Sequence, residues 1–397
     1  MLSNVLAKLR ARLSVLMTIE NAGCRGMNIF WAGGRGAFSP TSTLRQGGLR
    51  QIKEQPRSAC PDPPFSLETV RVTQTILVTG GAGYVGSHAC KSLARAGYRP
   101  VAYDNLVRGH PEAVRWGPFV EADLADTGRL ADAIKRFKVA AVMHFAAFAY
   151  VGESMASPEL YFRNNVCNSL QLLETMRAAG VRHIVFSSTA AVYGTPDRVP
   201  IPESAPHEPV NPYGESKLMV ERMLRWYDQA HGFTHAALRY FNAAGADPEV
   251  EIGEVHDPET HLIPLVLQAA LGHRPQIDVL GTDYPTPDGT AIRDYVHVQD
   301  LADAHVKSLQ HLLRGGASLE LNLGTGAGHS VREVIAAAER VTGRRIPQRE
   351  APRRLGDPPA LVAEASRARE VLGWVPTLSS LDRIIATAWA WHSRRGG

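Results

Sequence analysis

The sequence has few cysteines, and none of them are closely paired. Four are scattered over the 397 residues, without a C-x-x-C motif: Cys24, Cys60, Cys90 and Cys167. This usage argues against a zinc site or a disulfide framework and is compatible with a reducing cytosol, so we expect a cytoplasmic protein. Metal-ligand spacing is also missing among the histidines that follow residue 250, which we interpret as structural or surface residues: His256, His261, His273 and His297. We therefore expect no metal.

Long apolar runs are missing as well. The apolar patch at residues 13–19 contains Ser14 and Thr18 and is far shorter than the roughly 18 residues that cross a bilayer. The N-terminal region also lacks a clear hydrophobic stretch followed by a small-residue cleavage site. We expect no membrane partner.

Positive charge is concentrated near the N-terminus. Residues 1–71 hold ten Lys/Arg against four Asp/Glu, whereas residues 72–397 hold 33 against 35. The body is therefore almost neutral and gives no sign of a nucleic-acid partner. We interpret residues 1–71 as a disordered N-terminal extension that the chemistry does not need. An Arg-rich transit peptide and a wrongly included upstream stretch are the alternatives.

From residue 72 onward, short apolar runs alternate with helix-length segments. A helix is predicted over residues 84–96, and strands are predicted at residues 76–78, 101–103, 140–145 and 184–187. Such alternation is typical of βαβ units. It predicts an α/β fold with a doubly wound parallel (Rossmann) sheet over residues 72–242.

The rhythm breaks after Phe241, where Pro and Gly interrupt residues 247–264 and 281–289. We predict a smaller C-terminal substrate-binding domain over residues 243–397. Segments such as residues 319–323 are expected to return to the main sheet.

A glycine-rich loop follows the first predicted strand. Gly80, Gly83 and Gly86 form Gly-x-x-Gly-x-x-Gly between a strand and a helix, a pattern that brings backbone close to a dinucleotide pyrophosphate. A glycine-rich turn without a ligand is the alternative. Asp104 lies 18 residues past Gly86, where an acidic residue binds the ribose of NAD. Arg108 could instead host the extra phosphate of NADP, but we favour NAD.

Two further patterns carry chemistry. Asp123 follows another predicted strand, and we expect it either to contact adenine or to cap a helix. Tyr213 and Lys217 lie four residues apart and share one face of a helix. A nearby ammonium lowers a phenol pKa from about 10, which makes the tyrosine a usable general base. A buried structural tyrosine is the alternative. Beside a nicotinamide, this base implies proton removal from a hydroxyl coupled to hydride removal from its carbon.

Over residues 75–395 the chain resembles the extended short-chain dehydrogenase/reductase family, and within it the UDP-glucose 4-epimerases. The matching segments include His-Phe-Ala-Ala (144–147), Asn-Pro-Tyr-Gly-Glu-Ser-Lys (211–217), Tyr-Pro-Thr-Pro-Asp-Gly-Thr (284–290) and Arg-Asp-Tyr-Val-His (293–297). The third segment is much more specific than the glycine loop.

The resemblance implies a role for each matching residue. The catalytic group would be Thr189, Tyr213 and Lys217. Besides the glycines, NAD would be bound by Tyr84, Val85, Asp104, Asn105, Asp123, Leu124, Phe145, Ala146, Asn164, Ser187, Lys217 and Tyr240. The UDP-sugar would be bound by Thr189, Tyr213, Asn242, His261, Leu262, Arg293, Tyr295, Arg354 and Asp357.

The activity implied by the resemblance is the interconversion of UDP-galactose and UDP-glucose through a 4-keto sugar, by a homodimer in galactose metabolism. It would supply UDP-galactose for polysaccharides. The alternative is 4-epimerisation of UDP-xylose/UDP-arabinose or of a UDP-N-acetylhexosamine. In this family a bulky residue at the position of Leu361 leaves little room for a 2-N-acetyl group, so we expect a preference for the glucose/galactose pair.

The chain departs from the family at three positions: Thr189 replaces a serine, Ala149 a lysine, and His261 an asparagine. A 4,6-dehydratase would need an Asp-Glu pair where Ala190 and Ala191 stand, which argues against that reaction. A non-enzymatic NAD sensor of this fold would typically have lost the tyrosine or the lysine of the catalytic pair, and both are present.

Overall fold

The computed structural model describes residues 73–354 and 357–395. Its strands are β1 (Thr75–Thr79), β2 (Arg99–Asp104), β3 (Phe119–Glu121), β4 (Val139–His144), β5 (His183–Thr189), β6 (Thr234–Tyr240), β7 (Asn242–Ala244), β8 (Ile277–Leu280), β9 (Ile292–Arg293), β10 (Tyr295–His297), β11 (Leu319–Leu323), β12 (His329–Ser330), β13 (Gln348–Ala351) and β14 (Ala360–Leu361).

Helices connect and cover these strands. They are α1 (Tyr84–Arg95), α2 (Thr127–Phe137), α3 (Val151–Ala156), α4 (Pro158–Tyr161), α5 (Asn168–Ala179), α6 (Pro212–His231), α7 (Leu262–Leu271), α8 (Val298–Leu313), α9 (Val331–Thr342), α10 (Ser366–Leu372) and α11 (Leu381–Arg395). A π-helix spans Phe162–Cys167, and 3₁₀ turns span Pro111–Ala113 and Ala190–Tyr193. Within the described ranges, no helix is both long and apolar enough to cross a membrane.

Seven strands form one parallel sheet in the order β11-β6-β5-β4-β1-β2-β3. The order reverses between β1 and β4, where the chain crosses from one half of the sheet to the other. This topology confirms the predicted doubly wound α/β fold. A crevice forms at the carboxyl ends of the strands at such a switch point, and ligands bind there.

The sheet is covered on both faces, as the apolar strands require. Ile76 and Val78 of β1 are fully buried in one core with Leu301 of α8. Leu77, between them, is fully buried in a second core with Leu130 of α2. Successive side chains of a strand point to opposite faces, so a central parallel strand is apolar at every such position.

A third core lies after residue 242 and combines α7, α9 and α11 with the short strands β8 and β10. All described residues fall within one compact unit, so the division at residue 242 stays a prediction. The predicted extension, residues 1–71, lies outside the described residues.

Candidate active site

The glycine loop brings backbone close to the crevice beside β4. Gly80 has φ of +74°, and a Cβ there would lie 2.6 Å from the backbone nitrogen of Ala146. A Cβ on Gly86 would lie 2.1 Å from the carbonyl oxygen of Gly80. Neither position has room for a larger residue. The loop leads directly into α1, whose N-terminal N–H groups form the kind of site that binds phosphate.

One cavity of about 780 Å³ joins this loop to the rest of the predicted site, a size typical of ligand sites. The predicted cofactor residues that line it are Gly80, Gly83, Tyr84, Val85, Gly86, Asp104, Asn105, Asp123, Leu124, Phe145, Ala146, Asn164, Ser187, Lys217 and Tyr240. The predicted catalytic and substrate residues that line it are Thr189, Tyr213, Lys217, Asn242, His261, Arg293, Arg354 and Asp357.

Leu262 and Tyr295 were predicted to bind substrate, but the structure does not place them on the cavity wall. Tyr295 is buried in the third core, and Leu262, the first residue of α7, packs against the same core. Packing in this core accounts for the position of both side chains. Substrate contact by Leu262 and Tyr295, which the family resemblance implied, stays a prediction.

Asp104 ends β2 and is held in place by backbone donors. Its carboxylate accepts hydrogen bonds from the N–H of Ala82 at 3.0 Å and of Leu106 at 2.9 Å. Arg108, considered as a possible host for the phosphate of NADP, donates to the carboxylate of Glu153 at 2.8 Å. A fixed carboxylate at this strand end, next to a guanidinium already paired with an acid, favours NAD over NADP.

Asp123 does not cap a helix, which removes one of the two predicted alternatives. The N-cap of α2 is Asp126, whose side chain accepts from the N–H of Arg129 at 3.0 Å. Asp123 instead accepts a hydrogen bond from the side-chain amide of Asn105 at 2.6 Å. Both of these residues line the cavity.

The start of α6 positions the predicted base. The side chain of Asn211 accepts from the N–H of Gly214 at 2.8 Å, and Pro212 occupies the first turn. A capping asparagine followed by proline is a strong signal for a helix start. This start fixes Tyr213 in the first turn at the cavity wall, with Lys217 one turn further on.

Burial controls the ionisation of this pair. Burial raises the pKa of the Tyr213 phenol, and a hydrogen bond with Thr189 partly opposes the shift. Lys217 donates from Nζ to the carbonyl of Ser187 at 2.7 Å, and burial lowers its pKa to about 7. The spacing argument predicted a lowered phenol pKa. It left burial out, and burial sets the direction for both groups.

The residues predicted to bind the diphosphate also line the cavity. Arg293 donates to the carboxylate of Asp357 and, at 2.7 Å, to the carbonyl of Ile292. β14 pairs with β9 so that Leu361 lies opposite Arg293, and Leu361 also lines the cavity. Guanidinium groups bind phosphate oxygens in pairs of hydrogen bonds, which suits Arg293 and Arg354 to a diphosphate.

Not all of the residues that line the cavity were predicted from the sequence. Glu254 and His256 line the cavity beside His261, and Glu259 lies within 3.0 Å of His261 Nδ1. Burial disfavours the imidazolium forms, but interactions with the two glutamates raise the pKa of His256 to about 9 and of His261 to about 10. The only signal in the sequence was the alternation of Glu and His over residues 254–261.

Known proteins share both the sequence and this architecture. The chain matches the NAD dependent epimerase/dehydratase family over residues 76–324. A UDP-glucose 4-epimerase of Rhizobium leguminosarum bv. trifolii is 52% identical over 81% of this chain and 98% of the relative. A Brucella ovis UDP-glucose 4-epimerase solved with NAD has a TM-score of 0.79 at 51% identity, covering 80% of this chain and 98% of that chain.

The UDP-Glc/GlcNAc 4-epimerase of Campylobacter jejuni is a third relative, with a TM-score of 0.71 at 40% identity, covering 81% of this chain and 99% of that chain. The glycine loop, α6 and Arg293 all lie within the residues that match the family. The chain therefore belongs to the NAD-dependent epimerase/dehydratase family and, within it, to the UDP-glucose 4-epimerases.

Proposed function

We propose that this protein interconverts UDP-galactose and UDP-glucose by reversible oxidation at the sugar C4, with NAD as a bound cofactor. One observation carries the proposal: a single cavity joins a phosphate-binding loop, a Thr–Tyr–Lys group and an arginine-lined end. The Rhizobium and Brucella relatives bear the name of this activity.

The cofactor end of the cavity fits NAD. The close approach of Gly80 to Ala146 leaves backbone rather than side chain against a pyrophosphate, and the anchored carboxylate of Asp104 suits a ribose diol. The chemistry that NAD would supply when bound is reversible hydride transfer at C4 of the sugar, with no net redox change.

The chain's own residues move the proton and hold the sugar nucleotide. Tyr213 as phenolate takes the proton of the 4-hydroxyl, and the Thr189 hydroxyl hydrogen-bonds the same oxygen. Threonine offers the same donor and acceptor as the family serine. Lys217 would hold the nicotinamide ribose. Arg293 and Arg354 anchor the diphosphate, which leaves the 4-keto sugar free to turn over.

The test uses the purified full-length chain without added cofactor. We expect it to contain NAD and to bring UDP-galactose and UDP-glucose to equilibrium, followed by ¹H NMR of the anomeric signals. Accumulation of reduced cofactor in proportion to product would overturn the proposal, since an epimerase regenerates NAD in each turnover.

The second candidate is a 4-epimerase of another UDP-sugar, either UDP-xylose/UDP-arabinose or a UDP-N-acetylhexosamine. Leu361 on the cavity wall is intermediate in volume, and the Campylobacter relative is named for both glucose and N-acetylglucosamine substrates. A panel of UDP-sugars compared by kcat/KM separates these activities. We propose that the glucose/galactose pair is preferred.

We further propose a cytoplasmic homodimer. Cysteine usage supports the location. The assembly is supported by large apolar side chains exposed on α3 to α6: Met155, Leu160, Leu170 and Trp226. Apolar groups clustered on neighbouring helices mark protein interfaces. Light scattering coupled to gel filtration gives the mass in solution, and a monomer would contradict the assembly.

A further inference from the structure

Four ionisable side chains lie close together in the loop that precedes α7, beside the cavity. Glu254, His256, Glu259 and His261 each offer one oxygen or nitrogen that could ligate a metal ion, and these atoms all lie within 4.8 Å of one another. We define this set as the Glu–His cluster. Its four members lie within residues 254–261, and His261 is the N-cap of α7.

Four contacts between imidazole nitrogens and carboxylate oxygens, which involve both oxygens of Glu259, are close in length to the edge of a coordination tetrahedron. His256 Nδ1 lies 3.2 Å from Glu254 Oε1 and 3.6 Å from Glu259 Oε2. His261 Nδ1 lies 3.0 Å from Glu254 Oε1 and 3.0 Å from Glu259 Oε1. Ligands at about 2.0–2.1 Å from a tetrahedral ion lie roughly 3.3 Å apart. The four contacts bracket this edge length, and a bound cation would replace the hydrogen bond that joins His261 Nδ1 to Glu259 Oε1.

Burial shows that the cluster needs positive charge. The side chains of Glu254 and Glu259 are only 5% and 7% exposed. Two carboxylates that close together in such a place are strongly unfavourable unless two positive charges compensate them. Either two imidazolium groups or one dication can supply these charges.

The environment of His256 favours a dication over two imidazolium groups as the source of this charge. Its Nδ1 is shielded from solvent and makes no hydrogen bond, although a carboxylate oxygen lies 3.2 Å away. This short contact does not have the geometry of a hydrogen bond. A lone pair directed between the carboxylates, toward a shared ion, accounts for this arrangement without an unsatisfied buried donor.

We propose that the Glu–His cluster binds one divalent transition-metal ion, Zn²⁺ in preference to Mg²⁺ or Ca²⁺. Two imidazole nitrogens with two carboxylate oxygens are a donor set for zinc, whereas the harder ions take oxygen ligands throughout. Four protein ligands leave no open position, so the site is structural. The ion would tie the loop at residues 254–261 to the start of α7 and stiffen one wall of the cavity. The proposal does not rest on the proposed reaction.

The test is direct binding to the full-length chain with its NAD in place. After dialysis against a chelator, the protein is titrated with Zn²⁺ by calorimetry and with Co²⁺ by visible absorption. We expect one tight equivalent per chain, and the intense d–d bands of four-coordinate Co²⁺. Wild-type protein that takes up no stoichiometric ion would overturn the proposal and leave imidazolium–carboxylate pairs as the charge balance.

Matched variants locate the ion. H256Q and E259Q should each weaken Zn²⁺ binding by more than the roughly 10–100-fold that loss of an outer-shell partner causes. H231Q, at the exposed end of α6, should bind like the wild type. NAD content and circular dichroism report whether each variant is folded, and two ligand variants guard against the failure of one. Equal affinity of folded H256Q, E259Q and H231Q would place the ion elsewhere and overturn the assignment.

Discussion

At the scale of single residues, burial dominates the ionisation of the side chains on α6. Lys217 is 3% exposed, lies 4.9 Å from the ring centre of Phe186 and donates to a backbone carbonyl. An ammonium in this place loses hydration without a carboxylate in direct contact, which accounts for a pKa of about 7. The charge of Lys217 is therefore adjustable near neutral pH, whereas a solvent-exposed lysine stays charged.

The Lys217 shift has a predictable effect on stability. The folded pKa of about 7 lies below the ordinary value of 10.5, so between these limits the unfolded chain binds more protons than the folded one. The free energy of unfolding contributed by this residue therefore rises with pH through that window. We expect the wild-type value minus that of K217M, measured by urea unfolding, to increase by on the order of a few kcal/mol from pH 7 to pH 10. A flat difference would contradict the shift.

Tyr213 is predicted to be the base. Y213F removes the hydroxyl while keeping the ring, which packs near Tyr161, so NAD and UDP should still bind. We expect kcat to fall by about 10²–10⁴-fold, the contribution of a positioned acid or base. T189S keeps a hydroxyl and serves as the control with a mild effect. Near-wild-type turnover by Y213F would assign the base to another residue.

Leu361 is predicted to limit substrate breadth. It lines the cavity opposite Arg293 in the β14–β9 pair, and it cannot donate a hydrogen bond to an acetamide. A clash in a pocket costs about 1–3 kcal/mol, or about 10–200-fold in kcat/KM. We expect weak activity on UDP-N-acetylglucosamine at most, and a gain in L361S. Equal kcat/KM for both sugar pairs in the wild type, or no gain in the variant, would reject this role.

At the scale of secondary-structure elements, the N-cap residues of two helices allow an effect on stability to be distinguished from an effect on catalysis. Asn211 caps α6 and Asp126 caps α2, each through one side-chain acceptor. Replacing either by alanine should lower the free energy of unfolding by about 1 kcal/mol. Only N211A frays the turn that carries Tyr213, so only N211A should also lower kcat. Denaturation and steady-state kinetics on both variants test this, and equal kcat values would show that the cap does not position the base.

The main-sheet elements were predictable because their signals are local. The predicted strands at residues 76–78, 101–103 and 184–187 fall on observed strands, and the strand predicted at 140–145 and the helix predicted at 84–96 each extend one residue past β4 and α1. The two- and three-residue strands after residue 241, such as β9 and β14, are formed by pairings between distant segments. Their sequences are too short to show a period, so the pattern gave no sign of them.

The residues of the candidate active site were also predictable only where a local sequence motif marks them. The glycine spacing indicated dinucleotide binding, and the interval between Tyr213 and Lys217 indicated a general base, because both functions depend on short sequence motifs. The Glu–His cluster depends on how one irregular loop folds, and the burial of Tyr295 depends on packing of the third core. Neither can be derived from residue spacing along the chain.

At the scale of the whole molecule, topology brings the separate motifs together. β1 ends in the glycine loop, β5 ends in Thr189, and β6 is followed by Asn242 in β7. Because these strands are parallel, their carboxyl ends meet at one edge of the sheet. The segments after residue 242 close that edge, with Arg293 and Asp357 joined across 64 residues of sequence.

This assembly begins at β1, and residues 1–70 precede it. The family match starts at residue 76 and β1 at Thr75, so deleting residues 1–70 should leave kcat, NAD content and Tm unchanged. Deleting residues 1–79 is the control: it removes β1, the strand between β4 and β2, and should abolish folding because both cores lose fully buried side chains. Gel filtration, NAD absorbance and turnover compare the three chains. If the protein lacking residues 1–70 is soluble and binds NAD but does not turn over UDP-galactose, the extension acts at the active site or at a subunit interface, and the prediction is wrong.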